Sequence, residues 1–164
     1  MGNLMAESSL NPLCANGVSK LGMTNSQYTD NVNTSQYDNF INDGIAYGLV
    51  QWCYKSRKEG LLTLARERNK SIGDINLQLD YMWQELQKYK TVLNALYNAT
   101  NVRETSDIVM LKYEKPSNTS ETMKQRRATY GEKYYEKYGA SVVKFNLNIK
   151  TATAIMDEIK KIID

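Results

Sequence analysis

The stretch GNLMAESSLNP, residues 2–12, sets one carboxylate, Glu7, between an apolar run and residues that stop helices. Leu4, Met5 and Ala6 suit the buried end of a helix, whereas Ser8, Ser9 and Asn11 favour turns and Pro12 cannot continue a helix. The pattern predicts Glu7 on a last helical turn. There the negative end of the helix dipole and apolar neighbours disfavour the anion, so the carboxyl is expected to keep its proton better than an ordinary glutamate, which suits an acid catalyst. Taken alone, such residues more commonly give a solvated glutamate at a helix end.

Composition limits the other chemistry available. The 164 residues include no histidine, which excludes Ser-His-Asp and Cys-His mechanisms and a histidine-bound zinc. Acid–base work falls to carboxylates, lysines or tyrosines. Cys14 and Cys53 are too few for a thiolate metal site and no acidic cluster has ligand spacing, so neither a metal nor another cofactor is expected. The two cysteines read as passive, with free thiols favoured over a disulfide. A net charge of +3 assists attraction to an anionic polymer such as a cell wall but is too even to argue for nucleic acid. Lys124, Arg126 and Arg127 form only a short basic cluster, of the kind that decorates a solvated helix face. No signal peptide or membrane-spanning run is visible, so no membrane association is expected and these residues do not encode export.

Around the candidate acid the chain reads as mainly α. A polar loop follows Pro12 to about residue 23; Thr24 and Gln27 then make a capping-box pattern, and TSQYDNFI predicts another helical turn or two. NDGIAYGLVQW, residues 42–52, combines Gly44 and Gly48 with residues that favour extended backbone, predicting a short strand or tight turn near residues 45–52. From Lys55 onward apolar residues recur at helical spacing; Ile75, Leu79, Met82, Trp83 and Leu86 form the clearest stripe, and turn signals fall at Asn101 and at 115–119.

Two of these segments, GNLMAES and YGLVQW, resemble in this order the phage tail lysozyme family, related in fold to goose-type lysozymes and soluble lytic transglycosylases. The family pattern is G-N-x-x-x-E-S, then G-[FL]-[AV]-Q-W, then Y-E-[RK]-P, matched here by Gly2, Asn3, Glu7 and Ser8, by Gly48 to Trp52, and by Tyr113 to Pro116. The resemblance implies a lysozyme-like catalytic domain over residues 1–138, with 139–164 as an extension. It further implies a muramidase that cleaves the β-1,4 bond after N-acetylmuramic acid, with bacterial peptidoglycan as partner, acting at the wall as a virion-associated or extracellular protein within a larger phage tail or wall-hydrolase protein.

By the same resemblance Glu7 is the general acid, Gln51 bonds sugar hydroxyl or acetamido groups, Tyr47 covers a ring face and Tyr113 faces the cleft. Gln51 has a plainer alternative, bracing the turn at Gly48, and Trp52 reads as a core aromatic. Asp43 is the candidate second carboxylate, although NDG makes it a turn-former first. Hydrolysis and lytic transglycosylation, which closes a 1,6-anhydro ring with one glutamate, both remain open, as does a non-catalytic wall-binding tail module. Relatives carry a full helix ahead of the glutamate motif, whereas only six residues precede Glu7 here. The apolar stripe of TATAIMDEIKKIID is therefore expected to form a helix over about Thr151 to Ile163 that docks beside the Glu7 helix, as in a fragment or a circular permutation.

Overall fold

Side-chain caps start several of the helices in the computed structural model, which describes residues 1–142 and residue 159. Helix α1 spans Gly2–Ser8, strand β1 Ala15–Asn16, a 3₁₀ turn Val18–Leu21 and α2 Asn25–Asn33. Strand β2 spans Ala46–Tyr47, followed by α3 (Lys55–Glu67), α4 (Ile75–Leu86), α5 (Lys90–Tyr97) and α6 (Val102–Val109). A π-helical turn, Met110–Glu114, continues α6, and α7 spans Glu121–Val142. The fold is thus mainly helical, with a two-stranded antiparallel sheet.

Thr24 and Gln27 form the expected reciprocal box: the Thr24 hydroxyl accepts from the Gln27 amide at 3.2 Å, and the Gln27 carbonyl oxygen accepts from the Thr24 amide at 2.9 Å. Such a cap stabilises a helix by about 1 kcal/mol. Asn101 caps α6 by accepting from the Glu104 amide at 2.8 Å. The short helix expected in TSQYDNFI does not form, and 34–41 is a run of turns. The cause lies at the end of α2. Ser35 is left-handed at φ 57°, its amide donates to Val32 O at 3.2 Å, and the Gln36 amide returns to Asn31 O at 2.7 Å. This is a Schellman stop with serine at the position glycine usually takes.

The chain divides into two compact units, Glu7–Gln84 and Met1–Ala6 with the chain from Glu85 onward. In the Glu7–Gln84 unit the sheet pairs Ala15 with Tyr47 and Asn16 with Ala46, so residues expected to be loop supply β2's partner. Its core holds Tyr28, Phe40, Tyr47, Leu49, Trp52, Leu61, Ile72 and Leu79, all essentially buried. The Tyr28, Phe40 and Tyr47 rings lie 5.6–6.0 Å apart, and Trp52 packs 5.3 Å from Tyr81.

In the other unit α6 packs on α7, and Gly2 meets α7 so closely that a Cβ there would lie 2.3 Å from Arg127 O. Asn3 is the buried polar link: its amide donates to Ser106 O at 3.2 Å and its carbonyl accepts from Arg127 at 3.0 Å. Arg103, held within α6 by Asp107, joins α6 to α7 through Gln125 and Glu121. No helix among the described residues is long and apolar enough to cross a membrane. The helix expected over Thr151 to Ile163, and its docking, lie outside the described residues except for Ile159, which is helical.

Candidate active site

Glu7 occupies the last turn of α1, as its flanking residues predict, and is half-buried. The next residue ties that helix end to the second motif: the buried Ser8 hydroxyl donates to Leu49 O at 3.1 Å. Ser9 and Leu10 follow at φ 55° and 61°, left-handed backbone that non-glycine residues seldom adopt. The Asn11 amide closes the turn onto Ser8 O at 3.0 Å, and the Asn11 side chain accepts from the Leu13 amide at 2.9 Å. Successive left-handed residues cost about 1–3 kcal/mol each and persist only where the surroundings hold them.

The GLVQW motif is itself a closed turn. Tyr47 and Trp52 exchange backbone hydrogen bonds at 3.0 and 2.9 Å, the Gly48 amide donates to Cys14 O at 2.8 Å, and Leu49 donates to the buried Gln78 side chain at 2.8 Å. Gln78 spends its amino group on Pro12 O and Ile72 O, both at 2.8 Å. Gly48 has φ 75°, and a Cβ there would stand 2.6 Å from Gln78 Oε1, so both backbone and space demand glycine. Gln51, left-handed at φ 54°, donates from Nε2 to Cys14 O at 3.0 Å and Gly48 O at 2.9 Å. Its amino group therefore braces the turn, while its Oε1 is buried with no hydrogen-bond partner.

Asp43 is placed differently from Glu7. Oδ1 accepts from Lys58 Nζ at 2.5 Å and from the Ile45 amide at 2.9 Å, the latter making the turn that NDG predicts. Oδ2 accepts from the hydroxyls of Tyr28 at 2.6 Å and Tyr37 at 3.2 Å. Its side chain is 3% exposed and that of Lys58 is 0% exposed. Lys58 also donates to Ile45 O at 2.9 Å and to Tyr28 at 3.2 Å, and lies 4.2 Å over the Phe40 ring. Burial holds the Lys58 ammonium below the ordinary lysine value, with Asp43 opposing that shift. Burial, together with Asp43, pushes the Tyr28 and Tyr37 hydroxyls up. Sequence reasoning missed Lys58 and Gln78. The available signal was register: Lys58 shares a stripe with Leu61 and Ala65, and Gln78 with Ile75 and Met82, so each polar group had to find buried partners.

Tyr47 is 0% exposed, with its hydroxyl 2.8 Å from that of Thr29 and its pKa raised by burial. The ring has no free face to offer a sugar, which corrects its expected stacking role. Trp52 is a core aromatic. Tyr113 belongs to the other unit, buried on the π-helical turn, where its hydroxyl donates to Glu85 at 2.8 Å and its ring lies 5.3 Å from that of Tyr89. Lys115, next but one, is left-handed at φ 51°, and its Nζ lies 6.0 Å over Tyr89. Cys14 and Cys53 are free thiols, Cys14 raised in pKa by burial. The basic cluster is not one surface: Arg127 is buried on Asn3, Arg126 is exposed, and Lys124 approaches Glu121 at 3.9 Å. Among the described residues no group of three His, Cys, Asp or Glu is placed to hold a metal ion.

Compared with known proteins, residues 1–138 match the sequence pattern of the family described as phage tail lysozyme. No curated protein and no solved structure matches the chain.

Proposed function

The chain belongs to the phage tail lysozyme family, a family of lysozyme-type cell-wall hydrolases, and on that premise we propose that it cleaves the β-1,4 bond between N-acetylmuramic acid and N-acetylglucosamine with Glu7 as general acid. The observation that carries the assignment is the Ser8–Leu49 hydrogen bond, which fastens the turn of the second motif to the helix end bearing Glu7. In the first step the Glu7 carboxyl protonates the glycosidic oxygen as the bond to the sugar's anomeric carbon breaks, leaving an oxocarbenium-like centre and a Glu7 carboxylate. The catalytic unit proposed is residues 1–138, with peptidoglycan as substrate and a phage tail as setting. The reading is tested by turbidity loss of purified walls: the Glu7→Gln chain should leave walls intact while folding normally. Equal lysis by both would remove Glu7 from the acid role, and no lysis by either would favour a non-catalytic wall-binding module.

Asp43 favours one of the two ways to finish the reaction. A carboxylate that activates water needs an oxygen available to the water, and both Asp43 oxygens are committed to buried donors. Glu7 then acts twice, taking the proton from the sugar's own 6-hydroxyl as that oxygen closes onto the anomeric carbon. The product is a 1,6-anhydro sugar, as in lytic transglycosylases. Mass spectrometry of released muropeptides separates the outcomes, since the anhydro product lacks one water; reducing-end products alone would establish hydrolysis and require a different base. In this scheme Gln51 holds the turn and Tyr113 anchors its own segment, both as positioning residues.

A further inference from the structure

Helix α7 carries its charges on separate sides. Arg126, Tyr130, Lys133 and Lys137 follow at i, i+4, i+7 and i+11, which at about 100° per residue lines them along one side of the helix. Burial agrees: Arg126, Lys133 and Lys137 are exposed and Tyr130 is half-buried, while Arg127 and Ala128 face inward. Glu132 and Glu136 fall roughly 90–130° away around the helix. Among the described residues no carboxylate forms an ion pair with Arg126, Lys133 or Lys137. Aromatic rings border the cations. The Arg126 guanidinium lies 5.6 Å over the Tyr130 ring, with Nε donating to its hydroxyl at 3.2 Å, and Lys137 Nζ lies 5.0 Å over Tyr138. Tyr134 and Tyr138 are nearly parallel, at 14° with centroids 6.4 Å apart.

We propose that this side of α7 is a second contact with the wall, holding a peptidoglycan strand through residues outside the Glu7–Gln84 unit. The proposal rests on the wall-cleaving reading and adds where the polymer is held. Sugar rings present C–H faces that pack on tyrosines, and stem peptides present carboxylates that pair with guanidinium and ammonium groups. A line of cations interleaved with tyrosines and cleared of acids fits both features. Each exposed pair is weak, but several engaged along one strand add through effective concentration. For an enzyme on an insoluble polymer, such a contact keeps the chain at its substrate between cleavages.

The test uses the full chain with Glu7→Gln, so that walls are not consumed, and sediments it with purified walls stripped of teichoic acid. Adding Arg126→Gln, Lys133→Gln and Lys137→Gln together should weaken binding by about tenfold, with unchanged thermal melting. Amidating the wall carboxylates should remove the difference between the two proteins. Binding within twofold of the parent, a difference that survives amidation, or a difference seen only on walls that keep their teichoic acid would overturn the proposal. Lysis by the unaltered chain is measured separately. Absent lysis with intact α7-dependent binding defeats the Glu7 mechanism alone, and lysis with α7-independent binding defeats this proposal alone.

Discussion

At the end of α1 the Glu7 carboxylate is half-buried and is followed by two left-handed residues, whereas Asp43 is enclosed, with Lys58, Ile45, Tyr28 and Tyr37 all donating to it. Both lie in the Glu7–Gln84 unit. Asp43 gains its hydrogen bonds by giving up access to solvent and to any substrate. Its geometry is fixed by neighbours, which makes it a fastening between the 37–45 turns and α3. Beside Glu7, hydrogen bonds fasten the backbone, from the Ser8 hydroxyl to Leu49 O and from the Leu49 amide to Gln78. The contrast separates a carboxylate built into buried packing from one set at a half-buried helix end.

The largest expected effect tests the functional half of that contrast. Glu7→Gln should cut wall lysis by about 10²–10⁴, the usual contribution of a general acid, while the variant still unfolds cooperatively in urea. If the two carboxylates were equivalent, Asp43→Asn would cost as much lysis per folded molecule. It should not.

Stability should show the reverse order. Asp43→Ala leaves the Lys58 ammonium buried without its counterion, which should cost about 3–5 kcal/mol, measured by denaturant unfolding. The double variant Asp43→Ala with Lys58→Met should recover most of that loss, because exchanging a buried pair for apolar groups is often nearly neutral. A double variant as unstable as the single one would show that Asp43 matters through Tyr28 and Ile45 rather than through Lys58.

Gln51 falls between the two carboxylates. Gln51→Ala removes two bracing hydrogen bonds, worth about 0.5–1.5 kcal/mol each. Lysis should fall by less than for Glu7→Gln. If the folded variant lyses walls as fast as the parent, the brace serves stability alone.

Local signals in the sequence were strong enough to place Glu7 on the last turn of α1, to predict the Thr24–Gln27 box and to put a tight turn at Gly48. Each depends on residues within a few positions of one another. What stayed hidden depends on pairing at long range. Asp43 and Lys58 are fifteen residues apart, and nothing local distinguishes Lys58 from the solvated Lys55 except its shared register with Leu61 and Ala65. Tyr47 looked like a sugar platform because its motif pointed to a cleft, yet β2 turns its ring toward Phe40 and Tyr28. Ser35 ended a helix that propensity would have restarted, since the Schellman bonds to Asn31 and Val32 need no glycine to form.

The smallest expected effect is a pH signature of the Asp43 cluster, and it follows from opposite shifts within one site. Burial lowers Lys58 below its ordinary value of 10.5, so between its folded value and 10.5 the unfolded chain binds more protons than the folded one. Stability therefore rises with pH across that window. Tyr28, Tyr37 and Tyr47 are shifted upward from 10.0; above that value the unfolded chain releases their protons first, and stability falls as pH rises further. The unit should accordingly be most stable just below about pH 10, with a rise of roughly 1.4 kcal/mol for each pKa unit by which Lys58 is lowered. Denaturant unfolding from pH 7 to 11 measures it. Lys58→Met should flatten the rising limb and leave the alkaline fall in place, whereas an equivalent change at the exposed Lys55 should alter neither. A rising limb that survives in Lys58→Met would mean that the ammonium keeps its ordinary proton affinity, and that Asp43 and the tyrosines fully offset its burial.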